Sequence, residues 1–232
     1  MFSFSALGLL IALMFPFAAH ADGSNKYQYE HFESQLGYFK TITMGQYADN
    51  NDQRIWKWVN DINIFVKGDI STLLSSDLDS LISEINLMIS PIQLKRVDSE
   101  EHANYFIFLG SAKNYLNFEP NISPEQVESG NAYYIDANSE YEIISGSMYF
   151  DLILLKKNLH RKFILRDLLS KSLGTSFESR QYADSVFAAF PFKKLTTKYS
   201  NFDKTIISKL YSECVKAGMD KFEVDYALLN EC

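Results

Sequence analysis

Three side chains of this sequence come nearest to a set that could hold a metal or move a proton: His160, Asp167 and Glu178. The imidazole stands two turns before a carboxylate on one helical stretch, and a second acid follows the end of that stretch, with Asp184 as a further acid nearby. Asp167 and Lys171 are one turn apart with the acid on the N-terminal side, which favours an ion pair worth only about 0.3 to 0.5 kcal/mol on an exposed helix. The bland readings are a surface histidine and a solvated charged face. Ser170, Ser172 and Ser185 carry hydroxyls that could act as nucleophiles. No Gly-x-Ser-x-Gly elbow surrounds them, however, and none of the four histidines, His20, His31, His102 and His160, has an evident position as their base.

The element that must position these groups is the stretch from Leu159 to Gly174, in which Leu159, Phe163, Leu165, Leu168, Leu169 and Leu173 recur at helical spacing. Gly174 stands where a left-handed residue would close the last turn. Upstream, Gln53 to Gly68 alternates as a strand, with Trp56, Trp58, Ile62, Ile64 and Val66 on one face. Asp69 to Ser90 reads as a helix with Leu74, Leu78, Leu81, Ile85 and Met88 inward, ended by Pro91. Ile92 to Val97, Ala103 to Leu109, Tyr133 to Ile135 and Tyr141 to Leu155 read as strands, with Ser145-Gly146 as a bulge or turn. Lys113 to Gly130 reads as a loop with at most a short helix, and Thr175 to Ser200 as irregular. A second helix is expected over Asn201 to Val215, capped by Asn201, and a short one after Asp220. Trp56, Trp58, Tyr105 and Phe108 could line a groove, but alternating aromatics in strands read first as core.

Composition narrows the classes. Hydrophobic residues make up 47% and aromatics 15%, so the chain has a core to bury and is expected to fold. A net charge of −7 gives phosphate backbones and anionic lipids no reason to bind, which argues against nucleic acid as a partner. Residues 1–21 lack Asp, Glu, Lys and Arg, and an apolar run precedes Ala19-His20-Ala21, as in a cleavable secretory leader. The alternative, an N-terminal anchor, is disfavoured by Pro16 and the shortness of the run. We expect a leader at 1–21, an N-terminal extension at 22–52 and one domain at 53–232, with no membrane span after cleavage. Cys214 and Cys232 are the chain's only cysteines, and in an oxidising compartment they are expected to pair. Two free thiols, or a bridge between chains through Cys232, are the alternatives.

The blocks WKWVNDINIFVKG, ANYFIFLGS, SGSMYFDLILL running into LRDLLSKSLG, ADSVF, and FDKTIISKLY followed by AGM resemble successive blocks of the DUF2927 family of exported bacterial proteins. That family in turn resembles metzincins, whose helix carries two zinc-binding His one turn apart and a general-base Glu directly after the first. The resemblance implies an α+β, zincin-like single domain, with a mixed sheet packed on two long helices, an N-terminal extension and a C-terminal helical segment. Matching Leu173-Gly174 to the family's Leu-Gly implies ligand positions at Asp167 and Lys171 and the base position at Leu168. Those residue types dismantle a zinc site, so no cofactor is expected. The expectation is a non-catalytic domain binding a protein or a cell-envelope component; the alternative is a hydrolase built on His160, Asp167 and Glu178.

Overall fold

The computed structural model describes residues 23–45, 53–68, 70–151, 158–191 and 193–232. The expected leader, the end of the extension at 46–52 and the last four residues of the strand expected over Tyr141 to Leu155 lie outside them. The chain divides into two compact units, Met1–Ser34 and Gln35–Cys232. Helix α1, Gly23–Met44, runs across that division. Within the second unit Leu36, Tyr38, Phe39, Ile42 and Met44 are buried. This part of the expected extension is therefore core, and the compact unit starts well before residue 53.

The fold is a mixed α/β arrangement with a mostly parallel sheet and, among the described residues, seven helices. The expectation of two long helices was too narrow, since α1 has 22 residues, α2 (Thr72–Asn86) has 15 and α5 (Asn158–Lys171) has 14. Among the described residues the sheet has six strands: β1 (Lys57–Trp58), β2 (Ile62–Lys67), β3 (Leu94–Arg96), β4 (Tyr105–Gly110), β5 (Asn131–Ala137) and β6 (Glu142–Asp151). β3, β2, β4 and β6 lie side by side and parallel. β5 pairs antiparallel with β6. β1 pairs with the start of β6, just before the stretch taken by β4. Ile144 has no partner where β5 steps from Ser145 to Ile143, so the irregularity falls beside the Ser145-Gly146 expected to carry it.

Side chains alternate between two covered faces. On one, Tyr105 shares a hydrogen bond with Ser172 at 2.6 Å and Trp58 Nε1 donates to Ser172 O, which seats the end of α5 on the sheet. On the other, Phe108, Tyr149 and Ala132 pack with Tyr115, Ile122 and Val127. That second layer comes from α3 (Ala112–Phe118) and α4 (Pro124–Val127), two short helices in a stretch expected to be mainly loop. Each has a Ser directly before it, and Ser111 Oγ accepts the Asn114 N–H. Trp58, Tyr105 and Phe108 are core, whereas Trp56 is partly exposed.

α6 (Asn201–Leu210) and α7 (Lys221–Asn230) complete the helices. The cap of α6 is Ser200 rather than Asn201: its hydroxyl accepts the Asp203 N–H while the Asp203 carboxylate accepts the Ser200 N–H. Cys214 and Cys232 are joined as a disulfide, with Cα atoms 5.9 Å apart.

Candidate functional site

Helix α5 holds Asp167 and Lys171, and the turn that ends it brings distant charges back to them. Leu165, Leu168 and Leu169 are buried as expected, but Leu159 is exposed and the charged side of the helix is not solvated. Arg161 Nε donates to Asp77 Oδ2 at 2.7 Å, and Arg166 pairs with Glu84, so both arginines are spent tying α5 to α2. After Lys171 the chain reverses at Gly174, which has φ +98. A Cβ there would lie 2.0 Å from Trp56 O, so only glycine fits. Thr175 Oγ1 donates to Ser170 O and Ser176 Oγ to Lys171 O, capping carbonyls that the helix leaves open.

This reversal lays Glu178 beside Lys171, and the following loop, pinned by a bridge between Ser179 and Ala188, returns Lys193 to the same spot. The result is a closed ring of four charges. Lys171 Nζ lies 3.3 Å from Asp167 Oδ2 and 2.7 Å from Glu178 Oε1. Lys193 Nζ lies 2.8 Å from Asp167 Oδ1 and 3.3 Å from Glu178 Oε1. Asp167 and both lysines have side chains only 11 to 13% exposed, while Glu178 is 34% exposed and forms the outer corner. Lys193 also lies 5.0 Å from the Phe163 ring centroid.

Electrostatics keep Lys171 and Glu178 ionised. Burial works against the Lys171 ammonium, but Asp167 and Glu178 outweigh it and hold its pKa above the ordinary lysine value. Burial likewise raises the Glu178 carboxyl, and the hydrogen bond and charge of Lys171, with Lys193, bring it below the usual range. Tyr133 of β5 stands over the ring, its hydroxyl donating to Ser176 O, and burial chiefly pushes its pKa up. The four charges cancel, and each oxygen of Asp167 already faces an ammonium. A divalent cation would have to displace two lysines to reach that carboxylate.

The sequence-derived candidates are thus partly assembled. Asp167 and Glu178 converge, but through Lys171 and Lys193 rather than through His160, which among the described residues makes no ion pair with either acid. Among the described residues no three His, Cys, Asp or Glu side chains come together in a way that could hold a metal ion. The donor set does not fit zinc. Leu168, the position matched to a general base, is buried in the core. Asp184 is exposed and outside the ring.

The serines are engaged structurally. Ser170 Oγ bonds Arg166 O and the Tyr199 hydroxyl. Ser172 Oγ bonds Leu168 O and Tyr105. Ser185 accepts from Tyr38 at 2.8 Å and donates to Asp203, a fully buried carboxylate that also accepts the Val186 N–H. Sequence reasoning missed Lys193, which lies in a stretch without periodicity, and the Ser185–Asp203 pair, whose only signal is an acid at the third position of a helix.

The chain matches the model of a family described as protein of unknown function (DUF2927) over residues 33–230. No match is found among curated proteins.

Proposed function

The chain belongs to the DUF2927 family, and on that premise we propose that it is an exported, non-catalytic zincin-like domain that binds an extended segment of another protein along the edge of β5 that lies away from β6. The observation that carries the non-catalytic reading is the ring itself: Lys171 and Lys193 stand between Asp167 and Glu178, where a metal or a reacting group would have to be. The zincin-like reading is supported by the order β2, α2, β3, β4, β5, β6, α5, by a parallel sheet with one antiparallel strand, and by α5 following β6. Export is supported by the uncharged stretch at 1–21 and by the disulfide, which suits an oxidising compartment. Among the described residues no helix is long and apolar enough to cross a membrane.

β5 suits a polypeptide partner for a chemical reason. Among the described strands it pairs only with β6, so its other edge offers a row of backbone N–H and C=O groups, which an extended peptide matches. It is seven residues long and contains no proline. The alternative, a hydrolase using His160, Asp167 and Glu178, needs the ring to open first.

Short random peptides selected on the purified protein test the proposal. A selected peptide is expected to protect amides of residues 131–137 from hydrogen exchange and to be recovered intact. Protection that leaves 131–137 unchanged, or cleavage of the peptide, overturns it.

A further inference from the structure

β1 places a lysine inside the protein. Lys57 is buried, and its Nζ donates to Leu210 O and Val215 O, both at 2.8 Å, at the end of α6 and in the turn beyond it. It also lies 5.2 Å from the Tyr211 ring centroid. A cation at a helix C-terminus is favourable, so part of its role is to hold this turn. An ammonium has three N–H donors, however, and among the described residues the third has no acceptor and no carboxylate lies within ion-pairing reach. A buried ammonium left in this way is costly.

Lys57 borders a cavity of about 340 Å³, at the small end of the range for ligand pockets. Its wall has two characters. Trp58, Pro91 and Ile92 supply apolar surface, while Glu140, Glu142 and Glu213 supply carboxylates and Lys216 a second ammonium. Glu142 accepts a hydrogen bond from Asn138, but the side chains of Glu140 and Glu213 make no ion pair among the described residues. The cavity therefore sets one buried, under-satisfied cation against a rim whose three carboxylates outnumber the one exposed ammonium of Lys216. A dianion such as phosphate would meet three carboxylates, and a simple cation would leave Lys57 unanswered.

We propose that this cavity binds a small zwitterion of the α-amino-acid class, with its carboxylate accepting from Lys57 Nζ and its ammonium toward Glu140, Glu142 and Glu213. The site draws on neither the charge ring nor the β5 edge, and stands whether or not a peptide binds there.

The test is ligand-observed NMR on the purified protein with individual α-amino acids, and with acetate, methylammonium and inorganic phosphate as probes of each charge alone. At least one amino acid is expected to bind, with acetate and methylammonium weaker by about tenfold or more and phosphate weaker still. K57M is expected to abolish that binding. Because K57M also removes two buried hydrogen bonds, the rim variant E140Q/E213Q serves as the second measurement: both side chains are exposed, so melting should be unchanged while affinity for the same amino acid falls several-fold. Binding of no amino acid, phosphate binding more tightly than any of them, or E140Q/E213Q binding as the wild type does overturns the proposal.

Discussion

Lys193 Nζ lies 2.8 Å from Asp167 Oδ1, so a side chain 26 residues further along the chain closes the ring that α5 opens. Both side chains are nearly buried, so removing one partner strands the other. D167A is therefore expected to destabilise the protein by about 3 kcal/mol, well above the cost of losing an exposed pair. Replacing both charges by apolar residues of similar size, in D167L/K193M, should cost less than D167A alone. Denaturant unfolding of the single and double variants checks this. Additive losses would mean that the two side chains are not coupled.

The same geometry bears on metal binding. Placing His on α5 in D167H/K171H leaves Leu168 in the core and Lys193 without its main anion, so the variant should lose stability and gain no metal-dependent peptidase activity. Elemental analysis and a peptide-cleavage assay with and without zinc would decide it. Zinc-dependent cleavage by this variant would show that the register matched to Leu173-Gly174 is wrong.

Much of the frame is legible in the sequence because one physical signal, the spacing of apolar residues, sets it. Leu74, Leu78, Leu81 and Ile85 line the buried side of α2, and Ile62 and Ile64 the buried face of β2. Where other forces decide, the reading slips. α6 ends at Leu210 rather than Val215 because Lys57, far upstream, takes the carbonyls of both residues. The strand expected over Gln53 to Gly68 is two strands, β1 pairing with β6 and β2 with β3 and β4. At the candidate site Asp167 and Lys171 are visible as a pair at i and i+4, because that spacing is local. Lys193 is invisible: it arrives by a loop whose path depends on Gly174, Ser179 and Ala188 rather than on any period.

The disulfide between Cys214 and Cys232 closes a loop of 18 residues' separation that contains α7. In the chain-entropy account such a link removes about 3 kcal/mol of freedom from the unfolded state. Reduction should lower the melting temperature while leaving the sheet and α5 folded, since Ile55 N–H still donates to Met219 O and Lys40 still pairs with Asp225. Near- and far-ultraviolet circular dichroism during reduction reads this. Loss of all tertiary signal at room temperature would show that the C-terminal segment is required for the core rather than fastened to it.

Lys57 should give the protein an unusual alkaline profile. Burial first, and the charge of Lys216 second, push its pKa from 10.5 down to about 8, with Tyr211 beside it and Glu140, Glu142 and Glu213 along the cavity. Between those two values the unfolded chain holds the lysine proton and the folded chain has released it, so the unfolded state binds more protons and stability rises with pH. The contribution of Lys57 to that rise should be on the order of 2 kcal/mol between pH 8 and pH 10. From about pH 9 upward, the buried tyrosines Tyr38, Tyr105, Tyr115, Tyr199 and Tyr211, whose pKa values burial raises, act in the opposite sense, because the unfolded chain ionises them first. Stability should therefore pass through a maximum near pH 9, and K57M should remove the climb toward it while leaving the fall beyond. Urea unfolding at fixed salt across pH 7 to 11 measures both limbs. If the difference in stability between the wild type and K57M does not grow from pH 8 to pH 10, Lys57 keeps its proton in the folded protein.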